Sequence, residues 1–149
     1  MSGGYHVQSI RERAMNYLAR REHSVKELRQ KLSKAGFEVD EIETTIARLT
    51  EQDLQSDQRF AESYTHHRSK RGFGSQWIVN ELKQRGVDGE LINNLFKQLE
   101  IDWFELAASV RTKRFGEDSP TEIKERVKQQ RFLYYRGFTQ EQITASFNL

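Results

Sequence analysis

The chain has 149 residues, of which 24 are basic and 22 acidic, so its formal net charge is only +2. This balance argues against a domain that is basic throughout, so any contact with nucleic acid has to come from a local patch. Cysteine is absent, which excludes disulfides, zinc–thiolate sites and thiol nucleophiles. No apolar run approaches the roughly 20 residues that span a bilayer, and no apolar segment typical of a secretory signal begins the chain. We therefore expect a cytoplasmic protein that does not contact a membrane.

Short helices with their own start signals follow one another along the chain. Ser24 and Glu27 have the spacing of a capping box, in which the serine hydroxyl accepts the third amide and the glutamate reaches back. Ser119 and Glu122 have the same spacing, with Pro120 at the first helical position, where a missing N–H costs little. Four more residues are predicted to be N-caps or to open a helix: Asp40, Ser56, Asp102 and Thr139.

The apolar residues between these signals keep helical spacing. They form stripes at intervals of three or four residues: Leu28 and Leu32; Ile42, Ile46 and Leu49; Ile78 and Leu82; Leu91, Leu95 and Leu99. No stretch alternates with a period of two for long enough to indicate a sheet. The sequence therefore predicts an all-α protein with these stripes in its core.

The helices also repeat along the chain. Gly36, Gly86 and Gly137 are separated by 50 and 51 residues, and each is followed by an apolar residue, as in a helix stop. Three units of three helices follow, over 8–52, 53–100 and 101–149. Because one such unit buries little apolar surface alone, we expect three tandem three-helix repeats stacked into an elongated, curved array.

The residues needed for catalysis or for binding a cofactor are not arranged in any recognisable motif. No pair of the four histidines has the i, i+4 spacing of a helical zinc site, and adjacent His66 and His67 point about 100° apart on a helix. There is no phosphate-binding loop of the G-x-x-x-x-G-K-[ST] type. We therefore expect no enzyme, no metal site and no cofactor.

Two basic stretches that contain aromatic residues are the candidate binding sites. In the middle unit the candidates are Arg68, Lys70, Arg71 and Phe73, and in the third unit they are Lys124, Lys128 and Arg131. Arginine and aromatic side chains together suit phosphate contact, base stacking or the acidic rim of a protein partner. A solvated helical face is the plain alternative for each stretch, and Phe73 can either be presented between its flanking glycines or tuck into the core.

The chain resembles the RecX family over about residues 10 to 147. The middle unit carries the most specific part of the resemblance, in Asp57, Arg59, Phe60, Ala61, Tyr64, Arg68, Gly72, Gly74, Ile78, Glu81, Leu82, Arg85, Gly86 and Val87. The third unit adds Lys128, Arg131, Phe132, Leu133, Arg136, Gly137 and Phe138, and the first adds Ser24, Glu27, Leu28, Lys31 and Leu32. One departure is Arg85, where many members of the family have lysine.

The resemblance implies a non-enzymatic regulator built from three-helix repeats. Its partner would be the RecA recombinase filament on single-stranded DNA, in whose helical groove such proteins lie. It would most often inhibit the ATPase, strand-exchange and coprotease activities of RecA, as a monomer and with weaker direct contact to single-stranded DNA. The alternative is a stand-alone helical DNA-binding module with no RecA partner, whose affinity would fall steeply with salt.

Overall fold

The computed structural model describes residues 8–147, and within that range the chain folds into helices and connecting loops. Their bounds are α1 Ile10–Arg20, α2 Val25–Lys34, α3 Val39–Glu51, α4 Asp57–Lys70, α5 Ser75–Gln84, α6 Gly89–Gln98, α7 Trp103–Phe115, α8 Ile123–Tyr135 and α9 Gln140–Ala145. The prediction of an all-α fold is confirmed. Three-helix groups follow along the chain, which we name unit 1 (α1–α3), unit 2 (α4–α6) and unit 3 (α7–α9).

Most of the predicted helix starts are confirmed. The side chains of Ser24, Ser56, Asp102 and Thr139 each accept a hydrogen bond from the amide three residues later, at 3.1 to 3.2 Å. Ser24 and Thr139 also form complete capping boxes.

Two of the predicted helix starts are wrong. Asp40 lies inside α3, whose N-cap is Glu38. The turn at Gly36 that ends α2 is followed almost at once by α3, so the helix starts before Asp40. Ser119 does not cap α8, which starts later, at Ile123. Its hydroxyl instead donates to the carbonyl of Phe147 at 2.9 Å and ties the loop before α8 to the end of α9.

The three repeated glycines end the middle helix of each unit, as predicted. Their φ angles are +95° for Gly36, +85° for Gly86 and +97° for Gly137, in the left-handed region where a Cβ is strained. The amide of the residue after each glycine donates to the carbonyl five residues earlier, at 3.0 to 3.2 Å. Each middle helix therefore ends in the same closed turn.

Each unit has its own core. The buried apolar residues form three clusters, centred on Leu28, Leu32, Ile42, Ile46 and Leu49 in unit 1, on Phe60, Ile78, Leu82 and Ile92 in unit 2, and on Leu133, Phe138 and Ile143 in unit 3. The predicted stripes are therefore core, except that Leu91 and Leu99 are only half-buried. Separate cores are typical of a stacked array in which each unit touches only its neighbours.

The middle helices of the units stack end to end. In the joint between units 1 and 2, the hydroxyl of Ser24 at the start of α2 donates to the carbonyl of Arg85 at the end of α5, at 2.7 Å. In the joint between units 2 and 3, the amide of Gly74 at the start of α5 donates to the carbonyl of Arg136 at the end of α8, at 2.7 Å. The order α8, α5, α2 therefore places a positive helix N-terminus on a negative C-terminus at both joints.

Charged side chains contribute to the joint between units 1 and 2. The Glu27 side chain is 8% exposed, and its carboxylate forms ion pairs with Arg21 at 3.0 Å and with Arg85 at 2.8 Å. Burial opposes ionisation of Glu27, but hydrogen bonds from Arg21, from the Ser24 amide and from Arg85 outweigh burial and lower its pKa. The carboxylate is therefore charged in the fold and joins the two units.

The joint between units 2 and 3 is made by backbone and aromatic rings. A Cβ built on Gly74 would lie 2.5 Å from the carbonyl carbon of Gly137, and one built on Gly137 would lie 2.5 Å from the backbone nitrogen of Trp77. Only glycine fits such an approach of two backbones. A side chain at either glycine would therefore collide with the backbone of the other unit.

Candidate functional site

Arg68 and Phe73 belong to a cluster inside unit 2. The Arg68 guanidinium lies over the rings of Tyr64, Phe73 and Trp77 at 5.3 to 5.9 Å, and its side chain is only half-buried. Phe73 stacks on Trp77 with 4.0 Å between ring centroids, so it tucks against its own unit. Both residues therefore pack against aromatic rings of their own unit.

The other predicted residues are exposed. Lys70 ends α4 and Arg71 is its C-cap, and both side chains reach solvent. Lys124, Lys128 and Arg131 are exposed along α8, with the spacing of three or four residues that places side chains on one helix face. These five cations come from two units, and the stacking of unit 3 on unit 2 places them around two neighbouring clefts.

The first cleft, which we name the joint cleft, lies between units 2 and 3. It has a volume of about 480 Å³ and is lined by Lys70, Arg71, Gly72, Leu106, Ser109, Val110, Lys113, Arg114, Phe132 and Arg136. Five of these residues are cations, and no carboxylate of residues 8–147 lines the cleft. Such a site, with an apolar floor and a cationic rim, favours a ligand that combines negative charge with apolar surface.

The second cleft, which we name the α8 cleft, lies between the end of α7 and α8. Its volume is about 820 Å³, and its lining includes Lys124, Lys128 and Arg131. Arg114 and Phe132 line both clefts, so the two are adjacent. Glu122 and Glu125 also line the α8 cleft, which makes it less strongly cationic than the joint cleft. We name the exposed cations of the two clefts the basic face: Lys70, Arg71, Lys113, Arg114, Lys124, Lys128 and Arg131.

Arg136 fixes the geometry between the two units. Its guanidinium donates to the carbonyl of Arg71 at 3.2 Å and lies over the rings of Phe73 at 4.7 Å and Phe132 at 5.3 Å. Because this arginine contacts both the segment between α4 and α5 and Phe132 of α8, it links unit 2 to unit 3 beside the cations of the joint cleft.

Three cations that line the clefts were not among the predicted site residues: Lys113, Arg114 and Arg136. All three are visible in the sequence as part of the basic stretches of unit 3, but no local pattern separates them from Arg111. That residue is fully buried and donates to the carbonyl of Ser146 at 3.0 Å. Only the stacking of the units distinguishes the surface arginines from the buried one.

Groups of three or more histidine, cysteine or acidic residues that could hold a metal ion do not occur among residues 8–147. In the same range, no helix is long and apolar enough to cross a membrane.

Three stacked three-helix units with a basic face define a helical-repeat protein. Family models for RecX match all three units: the first three-helix domain at residues 11–49, the second at 56–94 and the third at 100–145. The chain is 40% identical to regulatory protein RecX of Yersinia enterocolitica, with 95% of this chain and 98% of that protein covered. It is 38% identical to regulatory protein RecX of Halorhodospira halophila, with 93% and 86% covered. The chain belongs to the RecX family.

The fold agrees with solved structures of the family. The crystal structure of RecX from Lactobacillus salivarius superposes with a TM-score of 0.76 at 23% identity, over 93% of this chain and 92% of that one. A second crystal structure of regulatory protein RecX gives a TM-score of 0.79 at 21% identity, over 94% of this chain and 70% of that one. The arrangement of the helices of residues 8–147 in three units is therefore that of the family.

Proposed function

We propose that this protein binds the RecA filament on single-stranded DNA, in its helical groove, and inhibits the ATPase, strand-exchange and coprotease activities of RecA. Membership of a family named for regulation supports this role, and it is a binding role with no chemical step. The protein would act in the cytoplasm, without a membrane or a cofactor.

The basic face is the observation that carries the proposal. It extends over two units, and its joint cleft is lined by five cations without a carboxylate. We assign Lys70, Arg71, Lys124, Lys128 and Arg131 to contact with the filament or its DNA phosphates, with Arg68 and Phe73 supporting them from below. Several weak contacts along one array add up through effective concentration, so no single contact has to be strong.

The experiment is the single-stranded-DNA-dependent ATPase of the cognate RecA, with this protein titrated from substoichiometric amounts. The wild-type chain should inhibit. A variant with Arg71→Glu and Lys128→Glu, one charge reversal in each unit, should need a much higher concentration for the same inhibition. Its helicity should be unchanged, because both side chains are exposed.

A matched control reverses one charge away from the basic face. Lys97 is exposed on α6, so Lys97→Glu should inhibit like the wild type. Full inhibition by the double variant would refute the assignment of the face. Absence of inhibition by the wild type, together with binding to bare DNA that weakens steeply with salt, would favour the alternative of a stand-alone DNA-binding module.

A further inference from the structure

The α8 cleft differs in chemistry from the joint cleft beside it. Of the seven large hydrophobic side chains that are exposed within residues 8–147, four lie on α8. Two of these four, Val127 and Tyr135, line the α8 cleft and are 43% and 70% exposed. The cleft therefore offers uncovered hydrophobic surface next to its cations.

One face of α8 carries the cations and a tyrosine together. Lys124, Lys128, Arg131 and Tyr135 follow one another at intervals of four, three and four residues, so they fall within an arc of about 60° on the helix. None of the three cations forms an ion pair with a carboxylate of the part of the chain that the structure describes. Their charge is available to a ligand that carries carboxylates or phosphates.

The carboxylates that line the cleft lie to one side of this row. Glu125 accepts from Gln129 at 3.3 Å, which in turn accepts from the buried Arg111 at 3.3 Å, so Glu125 is tied to the interior of unit 3. Glu122 is the N-cap, and with the acidic pair 117–118 before it, it confines negative charge to the start of α8. Such charge opposes a chain of phosphates, whereas a peptide can turn its amide N–H groups toward it.

The aromatic floor of the cleft is already engaged within the protein. Phe132 packs edge-on against Phe115, with 5.4 Å between ring centroids. The guanidinium groups of Arg114 and Arg136 also lie over the Phe132 ring, each at 5.3 Å. A nucleobase would have to displace these groups in order to stack there, and Val127 has no ring. The floor therefore suits a hydrophobic side chain better than a base.

From these observations we infer that the α8 cleft binds a peptide segment in which carboxylates surround one large hydrophobic or aromatic side chain. That side chain enters the cleft beside Val127 and Tyr135, and the carboxylates meet the row of Lys124, Lys128 and Arg131. Charge complementarity orients the segment, and the buried side chain anchors it. The cleft volume of about 820 Å³ lies within the range of sites that enclose such a group.

This inference deepens the proposed function by separating the two clefts. It assigns the α8 cleft to the protein of the filament and leaves phosphate contact to the joint cleft. It rests on the proposed function only for the identity of the partner, because the chemistry of the cleft defines the segment without RecA.

The test is the fluorescence anisotropy of three labelled probes, with the full chain titrated up to about millimolar concentration. The probes are a peptide of six glutamates around one tryptophan, the same peptide with serine in place of tryptophan, and an oligothymidylate with six phosphates. The tryptophan peptide should bind at least about tenfold more tightly than the serine peptide, as one buried aromatic anchor provides.

Two neighbouring tyrosines provide a matched pair of variants. Tyr135→Ser should remove most of the preference for the tryptophan peptide. Tyr134→Ser should keep it, because Tyr134 is 63% exposed but does not line the cleft. Lys128→Glu should weaken both peptides at least about tenfold, while Lys97→Glu should bind them like the wild type. All four side chains are exposed, so circular dichroism should show unchanged helicity.

Each other result overturns the inference. No binding of the tryptophan peptide, equal binding of the two peptides, or equal losses in the two tyrosine variants would refute it. Tighter binding of the oligothymidylate, weakened by Tyr135→Ser, would make the cleft a nucleic-acid site instead.

Failure of this inference and failure of the proposed function give different results. The anisotropy measurement contains no RecA, so a wild type that binds the tryptophan peptide without inhibiting RecA would keep the peptide site and lose the filament role. A wild type that inhibits RecA but shows no preference between the peptides would keep the filament role and lose the peptide site. If both hold, Tyr135→Ser should need a higher concentration than Tyr134→Ser for the same inhibition of the RecA ATPase.

Discussion

Replacing Gly137 by alanine should destabilise the array more than the same replacement of Gly36. The two glycines occupy the same position in their units, with φ of +97° and +95°. Alanine therefore has the same backbone strain at both sites, about 1–2 kcal/mol for a residue in the left-handed region. The sites differ in what the new methyl group meets.

At Gly137 the methyl group would lie 2.5 Å from the backbone nitrogen of Trp77, whereas at Gly36 nothing described lies within 4 Å. Overpacking of this kind typically costs about 1–3 kcal/mol more, because here backbone has to move and no flexible side chain can give way. The total loss of stability at Gly137 is therefore expected to be about 2–5 kcal/mol, against strain alone at Gly36.

Urea unfolding followed by circular dichroism measures both losses, and tryptophan fluorescence, which comes from Trp77 at the joint and Trp103 at the start of α7, is a second probe. If the proposed function holds, the Gly137 variant should also inhibit RecA less than the wild type, since its joint aligns the cations of units 2 and 3. Equal losses of stability in the two variants would refute the reasoning, because strain would then account for the whole effect and the close contact of the units for none of it.

Three further predictions concern buried polar groups. Glu27→Gln should cost about 1–3 kcal/mol of stability, because its hydrogen bonds to Arg21 and Arg85 become weaker. The pKa of Glu27 is lowered in the folded state, so the stability that its carboxylate contributes is present above the ordinary value of 4.5 and is lost as the pH falls through the folded pKa. The urea midpoint of the variant should therefore vary less with pH in that range than the midpoint of the wild type. Burial lowers the pKa of His23 from its ordinary value of 6.5, so the fold should lose stability as the pH falls below that value, and NMR titration of the His23 ring should show a midpoint below 6.5; a midpoint at or above it would contradict the prediction. Arg111→Met should cost about 2–4 kcal/mol, measured by thermal unfolding, because the acceptors of this fully buried guanidinium lose their donor; an unchanged melting temperature would contradict it.

Local signals predicted the helices well. The hydroxyl of Ser24 and the carboxylate of Asp102 act on their own helices, so the sequence around them contains everything that the start of the helix needs. The repeated glycine likewise ends a helix through bonds within five residues. Ser119 failed as a cap because its hydroxyl bonds to Phe147, 28 residues away, which no local rule could indicate.

The basic face could be predicted only in part, because it forms across a joint. Lys70 and Arg71 were identified from their own stretch, but their partners Lys113 and Arg114 come from α7, and only the stacking of unit 3 on unit 2 brings them close. Gly74 shows the same limit: in sequence it flanks a loop, whereas in the fold it permits the approach of two backbones. The limits of the units within the connecting loops stay a prediction.

The basic face lies at the joint between units 2 and 3, and the chemistry of that joint differs from the chemistry of the joint between units 1 and 2. Between units 1 and 2, the long side chains of Glu27 and Arg85 form an ion pair that contributes to the contact. Between units 2 and 3, the backbones of Gly74 and Gly137 touch directly, and Arg136 is held over two aromatic rings. A cationic surface that has to match fixed spacings between phosphates or acidic groups gains affinity when those spacings are set in advance. The joint made of backbone sets these spacings without depending on charge, so the basic face should keep its shape at salt concentrations that would weaken the proposed binding.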